Sequence, residues 1–447
     1  MSKNRIAYNC QALFVGPSPS SGFHFFGEDG ELNNNYEYSS VNYNLVKKIN
    51  RVTNLSYSIN LPREEYKQIG KSAIAANPII QSPSVQVDFE YYINGVLNEA
   101  RMGLNVNHIK PETSSDPLYS NFNTFLFSGL SDYGGVRMEK PLGWPNRNRS
   151  NRNLFAVVSK NDNEDFARHI NDQVENFSRD SNVIAFGDGY LVSYDTSCSV
   201  GALPKAKASF ICDNIIYYTG SSGLGIPALH PKSAENFNQI KFVIPDEQEI
   251  SGAISVVAPG DITLDISQTG LNSSTSMENV EDLGVTFSDI KIQNYGLSIK
   301  FNREDLSSIG YRRIANRPIN FPIVIDFTFS SIVGEESASH LKDNLVLDKK
   351  YNISLFLRDK FRNKTAVRYD LRSASLINYG YDASIEDNRV LNCSFRVNAS
   401  PDNLKEGLFM SGDISATYTS DYMLSDTNEF LIQENGDLMI LNSLPLY

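Results

Sequence analysis

Residues 54–79 read NLSYSINLPREEYKQIGKSAIAANPI, and residues 294–319 read NYGLSIKFNREDLSSIGYRRIANRPI. The two segments match at a constant offset of 240 without a gap. The identical pairs are Asn54/Asn294, Ser58/Ser298, Ile59/Ile299, Arg63/Arg303, Glu64/Glu304, Ile69/Ile309, Gly70/Gly310, Ile74/Ile314, Ala75/Ala315, Pro78/Pro318 and Ile79/Ile319. After a two-residue gap the match resumes, with VDF at residues 87–89 against IDF at residues 325–327. Chance similarity does not keep register over such a length, so the chain carries two copies of one segment.

The spacing of the copies indicates how the chain is divided. A period near 240 is too long for a solenoid repeat and is typical of a duplicated domain. For 447 residues, two domains of about 200 residues are expected. We predict a first domain over residues 1–228 and a second over residues 229–447, with an insertion at about residues 103–180 that the second copy lacks. Two related domains usually form a pseudo-symmetric object, which favours assembly over chemistry.

The composition favours β-structure. The chain has 25 Phe and 23 Tyr but one Trp, and such a bias is typical of strands joined by polar loops. Apolar side chains alternate along residues 52–61 and 84–93, the period of a strand with one buried face. Residues 162–177 carry apolar side chains at helical spacing. The predicted fold is mainly β: two tandem β-sandwich or partly closed barrel domains, each with a flanking helix.

Local signals predict how these strands are connected. Pro62 and the charged residues after it predict the first turn of a short helix, with Gly70 as its C-cap. In the second copy, Asn302 and Asp305 have the spacing of a capping box. The dipeptide at residues 94–95 is Asn-Gly, the strongest short signal for a hairpin.

Charge and cysteine usage narrow the function classes. The net charge is −12 and the pI is about 5.0, so a nucleic-acid-binding surface is not expected. No basic or apolar leader and no run of about 18 apolar residues is present, so neither a secretion signal nor a membrane span is expected. Cys10, Cys198, Cys212 and Cys393 lack CxxC spacing and are expected to be buried free thiols, although Cys198 and Cys212 could lie on neighbouring strands. Such usage suits a reducing cytoplasm.

No catalytic or metal-binding constellation is visible. The five histidines form no HxxxH, HExxH or HxH pair. GxSxG, Walker and dinucleotide motifs are absent, and the glycine-rich residues 220–225 lack the lysine that follows a phosphate loop and are interpreted as a linker. Nothing selects a carboxylate pair for glycoside hydrolysis. We therefore expect a protein that is not an enzyme and that requires no cofactor and no metal.

Two groups of charged residues are candidates for contacts. Arg63-Glu64 and Arg303-Glu304 are present in both copies, and no nucleophile or base accompanies them. We interpret each arginine as making a bidentate contact to a carboxylate on a neighbouring domain or subunit. The second group is Arg147, Arg149 and Arg152, in a segment that reads PNRNRSNRN and predicts a loop. In an acidic chain a small basic loop favours an acidic neighbour, so this loop is a possible ring contact.

Three stretches carry a resemblance to a known family. They are NRIAYNCQAL at residues 4–13, the strand region around Asp88, and GYLVSYDTSCSVGALPKAKASFICDNI at residues 189–215. Together they resemble tail-tube proteins of tailed bacteriophages, over most of the first half and more faintly over the second. The resemblance implies a β-sandwich or partly closed barrel with a flanking helix. It also implies that inner strands of six such domains join into a continuous barrel around a DNA channel.

The resemblance extends to function. The duplication is similar to the arrangement in which one subunit carries two tube domains, so that a trimer imitates a hexamer. It implies a structural virion protein of the phage tail, assembled in the host cytoplasm, that forms stacked homotrimeric rings and contacts other tail proteins. Duplex DNA would pass through the lumen without sequence-specific binding. An acidic subunit suits this role, because each lysine or arginine facing the lumen would add a salt-sensitive phosphate contact.

Two alternatives stay open. The chain could belong to a baseplate, hub or terminator ring, which uses the same domain without polymerising. It could instead be a tandem β-sandwich that binds carbohydrate or a host receptor through its aromatic residues. The single Trp144 disfavours that alternative, since glycan grooves prefer stacking residues of this kind.

Overall fold

The structure is a computed structural model that describes a discontinuous set of residues. These are 11–17, 47–67, 69–70, 72, 74–80, 83–108, 126–127, 151–159, 181–219, 257, 262–269, 282–290, 292–306, 314, 317–332, 349–359, 364–382, 390–403, 406–412, 431–432 and 438–439. The predicted helix over residues 162–177, the linker at residues 220–225, Cys10 and Gly310 lie outside this set.

Strands account for most of the described residues. In the first half they are β1 (Gln11–Pro17), β2 (Lys47–Lys48), β3 (Val52–Asn60), β4 (Tyr66–Lys67), β5 (Ile74–Ala76), β6 (Ser84–Tyr92), β7 (Asn107–His108), β8 (Asn151–Ser159), β9 (Ser181–Ser199), β10 (Lys205–Cys212) and β11 (Asn214–Thr219). In the second half they are β12 (Ile262–Thr269), β13 (Asp282–Ile290), β14 (Ile292–Lys300), β15 (Ile323–Ile332), β16 (Lys350–Asp359), β17 (Lys364–Asp382), β18 (Val390–Ala399), β19 (Gly407–Gly412), β20 (Leu431–Ile432) and β21 (Leu438–Met439).

The fold is mainly β, as the composition predicts. Within the described residues, seventeen strands join into one hydrogen-bonded sheet, and its ladders are antiparallel apart from the short pairing of β7 with β19. A single helix, α1 (Leu97–Met102), is present in that part of the chain. Along β6 the side chains of Val85, Val87, Phe89 and Tyr91 are buried in alternation, which confirms the strand predicted at residues 84–93.

The two halves have the same strand order. In the first half, hydrogen-bonded neighbours follow the order β2, β1, β8, β9, β10, β6 and β3, with β11 also on β9. In the second half the order is β13, β12, β16, β17, β18, β15 and β14, with β19 also on β17. Each half is thus built around one 19-residue strand, β9 or β17, whose two ends pair with different neighbours.

The register of the strands also agrees between the halves. The β3–β6 ladder pairs Ile59 with Val85, and the β14–β15 ladder pairs Ile299 with Ile325. The offset of 240 therefore continues through β6 and β15. The two-residue gap expected from the VDF and IDF match is wrong at this level, because ladder hydrogen bonds fix which residues are opposite one another.

Stacked phenylalanines extend the correspondence to the next strand. Phe89 stacks on Phe210 with ring centroids 6.0 Å apart, and Phe329 stacks on Phe395 at 6.2 Å. Phe89 and Phe329 differ by 240, whereas Phe210 and Phe395 differ by 185. The same offset of 185 relates β9 to β17, since Phe210 pairs with Leu191 and Phe395 with Leu376.

Each long strand carries the same irregularity at the same place. The Oδ1 atom of Asn153 accepts a hydrogen bond from the N–H of Asp188 at 3.1 Å, and Asn352 does the same for Ser373 at 3.2 Å. Asp188 and Ser373 have φ angles of 51° and 60°, in the left-handed region that ordinary residues rarely adopt. The ladders β8–β9 and β16–β17 shift register here. An asparagine thus holds each bulge by satisfying the N–H that the ladder leaves out.

Two local predictions are wrong. Residues 62–65 and 302–305 form no helix: Arg63 and Arg303 instead make isolated bridges to Ile79 and Ile319. The Asn-Gly dipeptide at residues 94–95 precedes α1 and does not join a hairpin. Strand β8 lies inside the predicted insertion at residues 103–180, yet it pairs with β1 and β9 as β16 pairs with β12 and β17. That part of the segment is therefore an element common to both halves.

Candidate assembly interface

The two halves meet where β9 pairs with β14, and we call this contact the inner joint. Its register places Thr196 opposite Leu297 and Tyr194 opposite Ile299. All four side chains are buried. On the other face of the pair, Ser298 Oγ donates to Asp195 Oδ1 at 2.5 Å. The inner joint therefore combines a strand ladder, an apolar face and a polar face.

The segment that follows β14 packs back onto the first half. Arg303 Nε donates to the carbonyl oxygen of Leu191 at 2.8 Å, and its Nη1 donates to the carbonyl oxygen of Arg317 at 2.7 Å. The guanidinium carbons of Arg303 and Arg317 lie 5.3 Å and 5.7 Å from the ring centroid of Tyr190, close enough for cation–π attraction. Arg303 thus contacts both halves through carbonyl oxygens.

Arg317 is the most deeply buried charge of the inner joint, with 2% of its side chain exposed. Its Nη1 lies 2.6 Å from Asp213 Oδ1, and its Nε lies 2.7 Å from Asp305 Oδ1. Burial raises the pKa of Asp213 to about 7, and the Arg317 guanidinium opposes that rise in part. Because Asp213 follows β10 and Arg317 follows β14, this ion pair ties one half to the other.

A buried carboxylate forms a second connection between the halves. Glu99 Oε1 on α1 accepts hydrogen bonds from Tyr91 at 2.7 Å and from Tyr194 at 2.9 Å. The hydroxyl of Tyr194 lies 3.3 Å from that of Tyr369 on β17. Burial raises the pKa of Glu99, while the two tyrosine hydrogen bonds lower it. Sequence reasoning missed this cluster, since the four residues share no local motif.

Two strand edges correspond to the two strands of the inner joint, but in the described part of the chain neither has a partner strand. One is β3, which pairs there with β6 alone; the other is residues 378–382 of β17, which pair there with β18 alone. We call them the open edges. By the offsets of 240 and 185, β3 corresponds to β14 and the end of β17 corresponds to the end of β9.

The open edges differ from the inner joint in how much of their apolar side chains is exposed to solvent. Leu297 and Ile299 are 1% and 0% exposed, whereas their counterparts Tyr57 and Ile59 are 40% and 46% exposed. Tyr194 is 0% exposed, and its counterpart Tyr379 is 40% exposed. Strand β3 was predicted to have one buried face, and Tyr57 and Ile59 on that face are partly exposed. The Tyr57 ring lies 5.3 Å from that of Phe186, and its hydroxyl lies 3.1 Å from that of Tyr217. Apolar residues in such a row at an unpaired edge mark an interaction surface.

The segment after β3 has the same internal bonds as its counterpart after β14. Arg63 Nη1 donates to the carbonyl oxygen of Asn77 at 3.1 Å, as Arg303 does to Arg317. The N–H of Glu64 donates to Pro78 at 3.1 Å, and that of Glu304 donates to Pro318 at 3.2 Å. The duplicated arginines therefore shape their own loops in the same way. Ile79 is exposed, however, where its counterpart Ile319 is buried.

The predicted basic loop is corrected in part. Arg152 lies within β8 and is buried, and its Nη1 donates to the carbonyl oxygen of Asn151 at 3.0 Å. Burial lowers the pKa of Arg152 to about 10. A buried strand residue is not available as an exposed ring contact. Arg147 and Arg149 lie outside the described residues.

The sheet surface opposite the core carries polar and charged side chains, and some of the charged groups are hydrogen-bonded. Gln86 Nε2 donates to Asp88 Oδ2 at 3.1 Å, and Ser209 Oγ also donates to Asp88. On the corresponding strands of the second half, Arg396 Nε donates to Asp326 Oδ1 at 2.7 Å. Arg396 is therefore held by a carboxylate across the strand pair.

No group of three or more His, Cys, Asp or Glu side chains among the described residues could hold a metal ion. Cys198, Cys212 and Cys393 are free and buried, as predicted. No helix among those residues is long and apolar enough to cross a membrane.

Comparison with known proteins gives structural similarity alone. No family model matches the chain, and no curated protein matches it. Over about a third of its length the chain is similar to solved structures of phage-like tails and injection systems. The baseplate of the anti-feeding prophage is 14% identical, with a TM-score of 0.25, and the match covers 34% of this chain and 92% of that one. The sheath–tube complex of an extracellular contractile injection system is 10% identical, with a TM-score of 0.24 and coverage of 36% and 94%. The SPP1 tail tube is 11% identical, with a TM-score of 0.22 and coverage of 39% and 90%.

Proposed function

We propose that this chain is a structural subunit of a phage-like tail tube that assembles with itself, head to tail, into closed rings. The chain is two copies of one domain, and the inner joint is the template for the joint between neighbouring chains. In that outer joint, β17 of one chain pairs with β3 of the next. The observation that carries the proposal is that the open edges expose the residues whose counterparts the inner joint buries.

The template fixes the register of the outer joint. Since Asp195 lies opposite Ser298 in the inner joint, Gly380 lies opposite Ser58 in the outer joint. Tyr379 then faces Ile59 and Tyr381 faces Tyr57, so that exposed apolar side chains cover one another. Burial of such side chains drives association in proportion to the apolar area removed from water. Pairing also satisfies the backbone groups of both edges.

Ring closure explains why each chain has two different open edges. A head-to-tail contact uses two different surfaces of each subunit and forms either a closed ring or an open helix. With two domains in each chain, three chains give six similar domains around the axis, which is the arrangement that the family resemblance implies. A closed ring pairs both open edges of every chain with neighbouring chains.

The polar sheet surface suits the wall of a DNA channel. Duplex DNA binds proteins chiefly through lysine and arginine contacts to phosphates. On this surface Arg396 is already paired with Asp326, and the exposed Lys207 of β10 lies opposite Glu90 and Asp195 in the two neighbouring ladders. Such a wall lets DNA slide past, and the acidic net charge of the chain acts in the same direction.

A disulfide experiment tests the outer joint. We expect the variant Ser58→Cys/Gly380→Cys to form intermolecular disulfides upon mild oxidation and to yield covalent trimers in denaturing electrophoresis. Gly380 accepts a side chain, because a Cβ atom there meets nothing within 4 Å. Ser58 is exposed on β3.

A matched control places the cysteine on the same face of β3 but out of register with Gly380. Asn54→Cys/Gly380→Cys moves one cysteine four residues along the strand, about 13 Å, and should not crosslink. Equal crosslinking in the two variants, or none in either, would contradict the proposed register.

Electron microscopy of the purified chain at raised concentration tests the function itself. We expect three-fold rings that stack into tubes with a bore wide enough for hydrated duplex DNA. Rings that never stack would favour a baseplate, hub or terminator ring. A protein that stays monomeric at every concentration would overturn the proposal.

A further inference from the structure

We infer that the outer joint lacks the buried ion pair of the inner joint: Asn77 of one chain meets Asn398 of the next where the inner joint places Arg317 against Asp213. The inference rests on the proposed head-to-tail assembly and identifies the residues that decide which halves join.

The correspondence follows from ladders already described. Asn77 and Arg317 differ by 240, and each backbone carbonyl oxygen accepts a hydrogen bond from the arginine fourteen residues before it. Asn398 and Asp213 differ by 185, and the ladders place their predecessors Val397 and Cys212 opposite Ile325 and Val85. Asn77 and Asn398 are therefore the residues that the template brings together.

The two sites differ in charge and in exposure. In the inner joint the side chains of Arg317 and Asp213 are 2% and 5% exposed and lie 2.6 Å apart. At the open edges Asn77 and Asn398 are both exposed. Two carboxamides can each donate and accept a hydrogen bond, so this pair satisfies itself without a charge. The outer joint then needs no ionised group to be buried.

The difference makes the two kinds of joint incompatible with one another. If the second half of one chain met the second half of another, Arg317 would face Asn398 and lose its buried carboxylate. If two first halves met, Asp213 would face Asn77 and would lose its close contact with the Arg317 guanidinium. Removing one member of a buried ion pair is strongly destabilising. First and second halves must therefore alternate around the ring, and each ring contains whole chains.

A double-mutant cycle tests the inference in the full chain. Asn398→Asp places a carboxylate in the outer joint opposite a carboxamide. Asn77→Arg places a guanidinium there without a counterpart of Asp213, although Glu65, the counterpart of Asp305, lies on the same loop. We expect each single variant to raise the concentration needed for ring assembly by about tenfold or more. The combination Asn77→Arg/Asn398→Asp recreates the inner pair, and we expect it to assemble within about threefold of the wild-type concentration.

The outcomes separate this inference from the proposed function. Rings in the wild type combined with additive losses in the double variant would overturn the pairing of residues 77 and 398 and leave the ring proposal standing. A wild-type chain that forms no rings would overturn both. Ser56→Lys, which adds a charge to β3 away from this pair, is the matched control: adding Asn398→Asp to it should not restore assembly.

Discussion

Asp213 shows how a single buried group makes the inner joint sensitive to pH. Its raised pKa, about 7, means that the folded chain holds the proton more tightly than the unfolded chain, whose aspartates titrate near pH 4. The contribution of the Asp213 proton to the free energy of unfolding is therefore fully present below about pH 4 and is lost as the pH rises to about 7. The loss arises because ionisation of Asp213 in a dehydrated site outweighs its attraction to Arg317.

We expect the variant Asp213→Asn to lack this dependence. It should be less stable than the wild type at pH 5, because the hydrogen-bonding partner of Arg317 changes, and the difference should narrow as the pH rises to 7. Urea unfolding midpoints at intervals between pH 4 and pH 8 measure the difference. Parallel curves for the two proteins would show that Asp213 does not titrate in this range.

Residues of this kind could not be predicted from the sequence. Arg303 was a candidate because Arg63 occupies the same place in the other copy of the repeat. In the structure Arg303 contacts Leu191 of the first half. Arg317 has Asn77 as its counterpart and so carried no signal from the repeat. Its partner Asp213 is more than a hundred residues away in the sequence, and only the β9–β14 ladder brings the two together.

At the scale of elements, the two long strands depend on their bulges. Asn153 and Asn352 each satisfy a backbone N–H at a residue with positive φ, where the ladder is interrupted. A buried N–H without an acceptor destabilises a fold by about 1–3 kcal/mol. The asparagines are therefore structural requirements of β9 and β17.

We expect Asn352→Ala to lower the free energy of unfolding by about 1–3 kcal/mol, because the N–H of Ser373 loses its acceptor. Asn352→Asp keeps an oxygen in the same place and should lose less. Asn153→Ala, the equivalent change in the first half, should behave like Asn352→Ala if the halves share one design. Thermal unfolding of the three variants provides the comparison, and an equal loss for Ala and Asp at residue 352 would contradict the role of the acceptor.

Strands were the most predictable elements, and the reason is physical. Alternation along residues 52–61 and 84–93 reflects side chains that face opposite sides of a sheet, and β3 and β6 follow it. The helix predicted at residues 62–65 failed because the bridge from Arg63 to Ile79 satisfies the backbone in an extended form. The sequence signal for a first helical turn reflects only the local preference of neighbouring residues. The bridge joins Arg63 to a residue sixteen positions away, which that signal does not include.

At the scale of the whole molecule, mixtures of the two single variants at residues 77 and 398 can report the number of chains in a ring. Chains with Asn77→Arg alone or with Asn398→Asp alone are expected to assemble poorly. When they alternate, every joint is either Asn77 with Asn398 or the new Arg–Asp pair, and each such joint is matched. Only an even number of chains can alternate completely.

We therefore expect an equimolar mixture of the two single variants to assemble better than either alone but worse than the double variant, since a ring of three keeps one mismatched joint. Native mass spectrometry or electron microscopy of the mixture gives the ring size and yield. Full recovery with even-numbered rings would contradict the trimer.

The channel wall allows a separate test of the whole assembly. In the variant Asp326→Asn, Arg396 loses its carboxylate partner, so guanidinium groups become available to phosphates. We expect assembled tubes of this variant to retain short duplex DNA at low salt and to release it as salt increases, as phosphate contacts do. Wild-type tubes should retain much less. Asp326→Asn/Arg396→Ser removes the freed charge and should behave like the wild type; retention unchanged by Asp326→Asn would show that this surface does not face the DNA.

The long strand β9 has a mechanical consequence. Its first part pairs with β8 and β11, and its last part carries the inner joint, so one continuous backbone about 60 Å long connects the two regions. A load applied near Ser181 must pass through residues 187–192, where both neighbouring ladders lose register. Bending stiffness is lowest where the hydrogen-bonded neighbours are interrupted. A tube built from this chain would therefore flex at a fixed level of its wall, while the joints at the ends of the strands keep their shape.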